Sequence, residues 1–406
     1  MSGASLHTMH DIRDRTAITG VGWTALSKNS GRSASALATE AGLAAVADAG
    51  LETTDIDGLI TFYWGQRDTP APAELVAGLG LTSCRMSFCD SGGGAWACAA
   101  IAAAAMAVHA GMCRHVLVYR AANSRSGPPP PASTDLWPSG QRQWSEPFGA
   151  THAATLYGPY VSAYMDHYGI DNRDFAPLAV QQRANAALNR KAMMTEPISV
   201  DDHQSSPWIV HPFRRLDCSI WNDGGMAVVV SATADARRLA QTPVTIRAMA
   251  GGSLATPVKA RTGRDRWALN ALTLAPSLYE NAGVTPADLD LAELYDPFTG
   301  MALLHIEQFG LTPAGRAPAC VRDGELALDG RLPVNTNGGH LNEGNLAGLG
   351  HIIEAVQQLR ADGVRDDHCD GAHDHDRDHC RQVRDPELAL VGAESGDSAL
   401  ILRRAA

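Results

Sequence analysis

The chain has 406 residues, 45% of them hydrophobic and 19% charged, with 39 Gly and 22 Pro. This composition excludes intrinsic disorder, collagen and coiled coil, since there is ample apolar surface to bury and no heptad repeat; two core units, or one large one, are expected at this length. The formal charge of -11, from 33 Lys+Arg against 44 Asp+Glu, argues against nucleic-acid binding, which draws on basic side chains to neutralise phosphate.

The longest apolar candidate, Ala95–Ala110, carries His109 and falls short of the roughly 20 residues needed to span a bilayer. The first residues (MSGASLHTMHDIRDR) mix charges and hold no apolar run, so no signal peptide and no membrane insertion are expected. Eight cysteines without a CxxC spacing suit a reduced, cytoplasmic compartment rather than a disulfide scaffold.

Along the chain, Ala17–Gly22 reads as a buried strand. Ser35–Ala49 follows as a helix with apolar residues at Leu37, Ala41, Leu43, Val46 and Ala47, and Gly50 suits its C′ position. A strand is predicted over Gly58–Tyr63. Gly92-Gly93-Gly94 then opens a helix, Ala95–Ala110, which ends at Gly111 and leads to the strand His115–Tyr119. Arg120–Trp221, with its tetraproline Pro128–Pro131, is less regular and reads as an insertion over the active face. The strand Val228–Ser231 closes this part.

The second part repeats the first. Ala49-Gly50-Leu51-Glu52-Thr53-Thr54-Asp55-Ile56-Asp57 has a counterpart in Ala282-Gly283-Val284-Thr285-Pro286-Ala287-Asp288-Leu289-Asp290, each lying between a helix and a strand. The second joint enters the strand Leu291–Tyr295. Gly338-Gly339 matches the earlier glycine turn, followed by a helix over Leu349–Arg360 and a strand over Leu388–Val391. Two homologous α/β halves are expected, 1–235 and 240–406, the first carrying the insertion at about 120–221. The second carries a surface insertion at about 362–380 containing His368, Cys369, His373, His375, His379 and Cys380. Its spacing fits no closed zinc motif, so a solvated loop without a functional metal is expected. Its seven Asp and two Arg account for almost half of the net negative charge.

These joints, together with AITGVGWTALSK, Asn222-Asp223-Gly224-Gly225-Met226-Ala227, AELYDPF and NTNGGHLNEGN, resemble the thiolase superfamily. VYRAANSRSG, HQSSPWIVHPFRRLDCSIWNDGG and GRLPVNTNGGHLNEG are similar to its lipid-transfer-protein-like branch, the thiolase-like aldolases of bacterial steroid side-chain degradation. The resemblance implies a duplicated, layered αβαβα fold with two pseudo-symmetric halves, and acyl-CoA as substrate with no other cofactor. It also implies a homodimer formed through a strand near the first glycine-rich helix, and a small partner protein with a zinc ribbon and an OB fold.

A thiolase nucleophile is a Cys at the start of a buried helix, where the helix field favours the thiolate. Cys89-Asp90-Ser91-Gly92 imitates that motif, but counting back from Gly111 places the position at Gly94. The resemblance also aligns Asn345 with the thiolase GHP histidine and Tyr295 with the Asn or His of its other motif. The second catalytic Cys falls near Val391–Gly392, where no Cys stands. Cys89 remains either a nucleophile for acyl transfer or condensation, or a buried structural thiol.

Chemistry that survives the loss of both thiols is retro-aldol cleavage of a β-hydroxyacyl-CoA. It needs a base for the β-hydroxyl proton, donors for the thioester enolate, and an acid to protonate that enolate. Backbone N–H groups at Gly94, Gly338 and Gly339 are the candidate enolate donors. Tyr295 is the candidate base or acid; a base role needs a cationic or strongly hydrogen-bonding neighbour, for which His340 is available. Asp296 either orients a neighbour or caps the next helix. The related aldolases carry a Tyr at Asn345, whose amide can still donate to an enolate oxygen; His340 and Glu343 are the nearest titratable replacements. Lys259, Arg261, Arg264 and Arg266, with Arg214–Arg215, are the basic residues available to CoA phosphates. A non-catalytic acyl-CoA-binding subunit is the remaining alternative.

Overall fold

The repeated nine-residue joints do the same work twice. The computed structural model describes residues 12–63, 69–90, 92–127, 142–251, 267–360 and 380–405. Gly50 and Gly283 take left-handed backbone, with φ of 71° and 69°, and end their helices. In the turn that follows, Asp55 accepts from the Glu52 N–H at 2.9 Å and Asp288 from the Thr285 N–H at 2.7 Å. The last Asp of each joint then holds the start of a neighbouring strand: Asp57 accepts from the backbones of Arg114 and His115, and Asp290 from those of Glu387 and Leu388.

Among the described residues the strands are β1 (Thr16–Trp23), β2 (Gly58–Phe62), β3 (Met86–Asp90), β4 (His115–Asn123), β5 (Trp208–Val210), β6 (Phe213–Arg214), β7 (Asp223–Ala232), β8 (Val244–Gly251), β9 (Leu291–Leu294), β10 (Leu388–Gly392) and β11 (Ser398–Arg404). The helices are α1 (Ala34–Asp48), α2 (Pro72–Leu79), α3 (Ala97–His109), α4 (Arg142–Ser145), α5 (Ala153–Tyr168), α6 (Ala176–Ala187), α7 (Val200–Ser205), α8 (Thr233–Ala236), α9 (Ala271–Ala282), α10 (Thr299–Gln308), α11 (Ala317–Arg322), α12 (Gly339–Asn342) and α13 (Leu349–Arg360). None of these helices is long and apolar enough to cross a membrane.

Nine strands form one mixed sheet in the order β3-β2-β4-β7-β1-β8-β11-β10-β9. The two halves repeat their connectivity about the β1/β8 pair. β1-β7-β4 and β8-β11-β10 run antiparallel, and β2 and β9 then add in parallel. One face of strands from both halves packs on α3 and α13. The other face is covered by α1 and α2 in the first half, and by α5, α9 and α10 in the second. The result is the expected αβαβα layering, with α3 and α13 shared between the halves. All but the last residue of β7 are buried, as befits a strand sandwiched between helices.

Three boundaries differ from the sequence expectation. A tight turn, Gly93–Trp96, precedes α3, which begins at Ala97. β7 starts at Asp223 rather than Val228. Glycine is required at 224 and 225 because a Cβ would run into the Leu26 side chain and the Leu37 carbonyl. β4 continues to Asn123, paired with Asp223, so Arg120 stands in a strand and not in the insertion.

Backbone proximity also sets the α1/β1 contact. A Cβ on Gly22 would lie 2.3 Å from both the Ala41 carbonyl oxygen and the Ala45 nitrogen, so α1 rests directly on β1. Gly22→Ala is expected to destabilise the protein by about 1–3 kcal/mol through overpacking. A lowered urea midpoint with an unchanged denaturant slope would show it.

Candidate active site

Tyr295 follows β9, and its backbone is held from both directions. Its N–H donates to the Gly392 carbonyl at 2.9 Å, and its own carbonyl accepts from His305 Nδ1 at 2.8 Å. A carbonyl can only accept, so His305 carries its proton on Nδ1; burial lowers its pKa to about 4. The Tyr295 ring then fills the space in front of Gly94. A Cβ at residue 94 would sit 2.2–2.4 Å from ring atoms and hydroxyl, and one at Gly348 3.2 Å from the ring. The phenol therefore occupies the volume that a side chain at residue 94 would enter.

Burial raises the Tyr295 pKa well above its usual value, and the negative charges of Glu394 and Asp296 add to this. The Arg120 cation and a hydrogen bond from Asn345 oppose it only in part. Tyr295 is thus a protonated phenol, a donor and an acid. His340 is not the cationic neighbour that a base role would need. His340 meets the ring edge-on at 4.5 Å between centroids, and burial together with the adjacent His351 cation holds its pKa well below the usual value. Its Nε2 accepts from the Gly348 N–H at 3.2 Å, so its lone pair is already engaged.

Beneath Tyr295 lies a buried charged knot. Asp296 Oδ1 accepts from the His340 N–H at 2.8 Å and from His351 Nε2 at 3.1 Å. Glu293 Oε2 lies 3.5 Å from His351 Nδ1, and its Oε1 accepts from the Thr336 N–H and hydroxyl. Burial disfavours the His351 cation, but the two carboxylates outweigh it and push its pKa up to about 10. Asp296 therefore both caps α12 and pairs with His351. Ligand atoms of Asp296, His340 and His351 lie within 4.8 Å of one another, a donor set suited to a transition metal. A divalent ion there would have to displace the His351 proton.

The glycine pair expected to bind the enolate does not do so. The Gly338 N–H donates to the Asn335 carbonyl, the Gly339 N–H to Asn337 Oδ1, and the next two N–H groups go to Asp296. These donors are consumed internally because the short α12 needs its own cap. Gly94, by contrast, lies in the first turn leading into α3, where an N–H has no partner within its own helix. Asn345 is fixed by its N–H to Asn222 Oδ1 (2.6 Å) and by its Oδ1, which accepts from Ala347 N–H (2.9 Å). Its Nδ2 is left facing Ser219 Oγ and the Tyr295 hydroxyl. Glu343 is held away by Asn189, Asn337 and Lys191, and does not replace a catalytic acid.

Cys89 fits neither sequence reading. It is exposed on β3, yet partial desolvation of its thiol together with the nearby Asp90 raises its pKa, while Arg120 counteracts only in part. A nucleophilic Cys needs the opposite shift. Arg214 is committed within the fold: its guanidinium donates to Asn172 Oδ1 and the Ser206 carbonyl and stacks over Trp208 at 4.1 Å. Its side chain is structural and not an anion site. Lys259, Arg261, Arg264, Arg266 and most of the His/Asp segment lie outside the described residues.

Four participants escaped the sequence reading: His351, Arg120, Tyr157 and Glu394. Tyr157, on α5, donates its hydroxyl to Glu394 Oε1, and Arg120 is a buried cation acting on Tyr295. Tyr157 stands 237 residues from Glu394 and His351 stands 55 residues from Asp296, with no local motif to mark either pair.

Residues 261–373 match the family model described as thiolase C-terminal domain-like. The chain is 38% identical to a steroid side-chain-cleaving aldolase of Thermomonospora curvata over 363 residues, 86% of this chain and 91% of the relative. It is 39% identical to the 17-hydroxy-3-oxo-4-pregnene-20-carboxyl-CoA lyase of Mycobacterium tuberculosis over 87% of this chain and 93% of that one. The chain belongs to the thiolase-fold aldolases. The solved Ltp2-ChsH2(DUF35) aldolase superposes with a TM-score of 0.86 at 37% identity, covering 97% of this chain and 98% of that one. Human mitochondrial 3-ketoacyl-CoA thiolase, at 14% identity and a TM-score of 0.66, shares the fold. The protein is an enzyme of the thiolase fold, a retro-aldolase.

In this aldolase the His351 cation offsets two buried carboxylates. His351→Gln is expected to cost about 3–5 kcal/mol by leaving them uncompensated. Because the folded-state pKa is raised to about 10, the wild-type contribution is complete below about pH 6.5 and disappears as pH climbs through the folded-state value. Denaturation midpoints of the two proteins should therefore converge between neutral pH and pH 10. A constant gap would contradict the charged state.

Proposed function

We propose that the chain cleaves the side chain of a steroid carried as a β-hydroxyacyl-CoA, releasing a ketone and a shortened acyl-CoA. Support comes from the activities named for its relatives and above all from one contact: Tyr295 stands where a nucleophilic side chain would have to project from residue 94. That contact removes the covalent route and substitutes a neutral phenol, a donor suited to an oxygen that gains charge.

In this reading the Gly94 N–H and the Asn345 amide hold the thioester oxygen as it becomes an enolate oxygen, and Tyr295 supplies the hydrogen bond or proton on the same side. Asp296, His340 and Glu343 take no proton from substrate, being engaged in the cap of α12, with Gly348, and with Asn189 and Asn337 respectively. The reaction is redox-neutral and consumes no cofactor beyond the acyl-CoA itself. Lys259, Arg261 and Arg264 are assigned to the CoA phosphates on charge.

The same proposal includes two protein partners. The name of the solved relative Ltp2-ChsH2(DUF35) supports a small partner, expected to carry a zinc ribbon and an OB fold. A homodimer is expected through β3. This edge strand exposes Ser87, Phe88 and Cys89, with Phe88 41% accessible, and an edge left unpaired among the described residues invites strand-to-strand association. A cytoplasmic location completes the reading.

The test is turnover of a steroid β-hydroxyacyl-CoA by the chain co-expressed with its partner, following ketone release. Tyr295→Phe, which removes only the hydroxyl, is expected to lower kcat by about 10²–10⁴-fold with little change in thermal stability. An unchanged rate would overturn the role of Tyr295. Tight acyl-CoA binding without any turnover would identify a binding subunit instead.

A further inference from the structure

Asn345 stands in the loop between α12 and α13, so contacts other than those of a regular element must fix it. The loop is held against its local preference. Ala347 takes left-handed backbone at φ 55°, a cost that surrounding structure must sustain and one often found at functional sites. Both ends of the loop are wedged. A Cβ on Gly344 would lie 2.6 Å from Leu26 Cδ1 and 3.1 Å from Asn222 Oδ1. One on Gly348 would lie 2.9 Å from the Ala97 Cβ and 3.2 Å from the Tyr295 ring. The loop therefore runs between side chains of the first half and the phenol.

A single short segment, residues 219–222, supplies the hold. The Ser219 N–H donates to the Pro297 carbonyl at 2.9 Å, two residues beyond Tyr295, and the Ile220 N–H to the His340 carbonyl at 3.2 Å. Asn222 Oδ1 accepts from the Asn345 N–H at 2.6 Å, and Asn345 Nδ2 makes a longer contact, 3.4 Å, to Ser219 Oγ. Asn222 is wholly buried and projects from a rigid point. Its neighbour Asp223 exchanges backbone hydrogen bonds with Ser27, and the Asp223 carboxylate accepts from the N–H groups of Ser30, Arg125 and Ser126. With its N–H taken by Asn222 and its Oδ1 by the Ala347 N–H at 2.9 Å, the Asn345 carboxamide is left one orientation, Nδ2 toward Ser219.

We infer that Asn222 is a positioning residue for the reaction, which together with Ser219 holds the Asn345 amide in register with the enolate oxygen. The assignment rests on the retro-aldolase reading, in which that amide donates to the enolate, and deepens it. Asn222 acts through Asn345. A donor aimed at developing charge helps only if it is in place before the charge appears, and a displacement of about 1 Å forfeits much of its effect. Without the Asn222 acceptor the Asn345 N–H loses its partner, and the left-handed turn at Ala347 loses a contact that sustains it. The loop then relaxes and carries the amide off the site.

The experiment measures kcat, KM and thermal midpoint on a steroid β-hydroxyacyl-CoA, using the full chain co-expressed with its partner. Wild type, Asn222→Ala, Asn345→Ala and the double variant are compared, with amide hydrogen exchange of residues 344–348 followed alongside. Asn345→Ala removes the donor and should lower kcat about 10²–10³-fold. Asn222→Ala should lower kcat about 10²-fold with KM near wild type, and should speed exchange in 344–348 while the core strands keep their protection. The double variant should be no slower than Asn345→Ala alone, because an absent amide cannot be misplaced. Losses that multiply overturn the assignment, as does an Asn222→Ala enzyme within about threefold of wild-type kcat. Should Asn222→Ala fail to fold, Ser219→Ala, at a half-exposed position, is read in the same cycle. A loss of about 3–10-fold that disappears in the Asn345→Ala background supports the hold; an unchanged rate or a multiplying loss overturns it. Failure of the wild type to cleave any β-hydroxyacyl-CoA overturns the underlying function, a result distinguishable from an active wild type with an indifferent variant.

Discussion

The site is organised by a single steric fact: residue 94 has no side chain, and an aromatic ring uses the room. Gly94 opens toward Tyr295 so closely that even a methyl group would meet the ring. The ring can hold that position because its backbone is bonded to Gly392 on one side and His305 on the other. A Cys at 94 and a Tyr at 295 exclude each other in this fold. A neutral phenol thus fills the space in front of the turn that leads into α3.

Electrostatics under that contact serve placement more than proton transfer. Five ionisable groups, Glu293, Asp296, His340, His351 and Glu354, are almost fully buried near one another, and each departure from water must be balanced locally. His351 carries the balancing charge for Glu293 and Asp296, while Arg381 does so for Glu354. With those charges neutralised, Asp296 is free to anchor α12. Its short turn then carries His340 against the Tyr295 ring and leads into the bend that presents Asn345. A group that looks catalytic by type can thus be a strut by circumstance, as with Asp296, His340 and Glu343.

The fold was largely legible because its signals are local. A C′ glycine, an Asp that caps the next turn and a second Asp that seizes a neighbouring strand act within nine residues, so their repetition announces the duplication directly. Spacing from Gly111 back to Gly94 was equally readable, since helix length converts to residue count, and it separated Cys89 from the helix start. What stayed hidden depends on distance along the chain. Tyr157 meets Glu394 across 237 residues, and nothing near either residue advertises the pairing. The Gly338 and Gly339 N–H groups resembled an anion site because glycine turns before helices often are; only the positions of Asn335, Asn337 and Asp296 show them occupied. His340 looked like a source of positive charge until its neighbour His351 took that role. Arg214 looked available to phosphate, yet Trp208 and Asn172 claim it through contacts between separate turns of the insertion.

The shared central layer has a bearing on motion. Gly94 and Arg120 belong to the first half, Tyr295, Asn345 and Glu394 to the second, and Tyr157 to the helices inserted between them. Because α3 and α13 interlock with strands of both halves, these groups sit on a seam with no slack. A rotation of one half by a few degrees would translate into ångström-scale error between phenol and backbone donor. The enzyme is in this respect built like a clamp whose jaws are cast in one piece. Any opening of the site has to come from the covering helices, while the halves themselves hold the gauge.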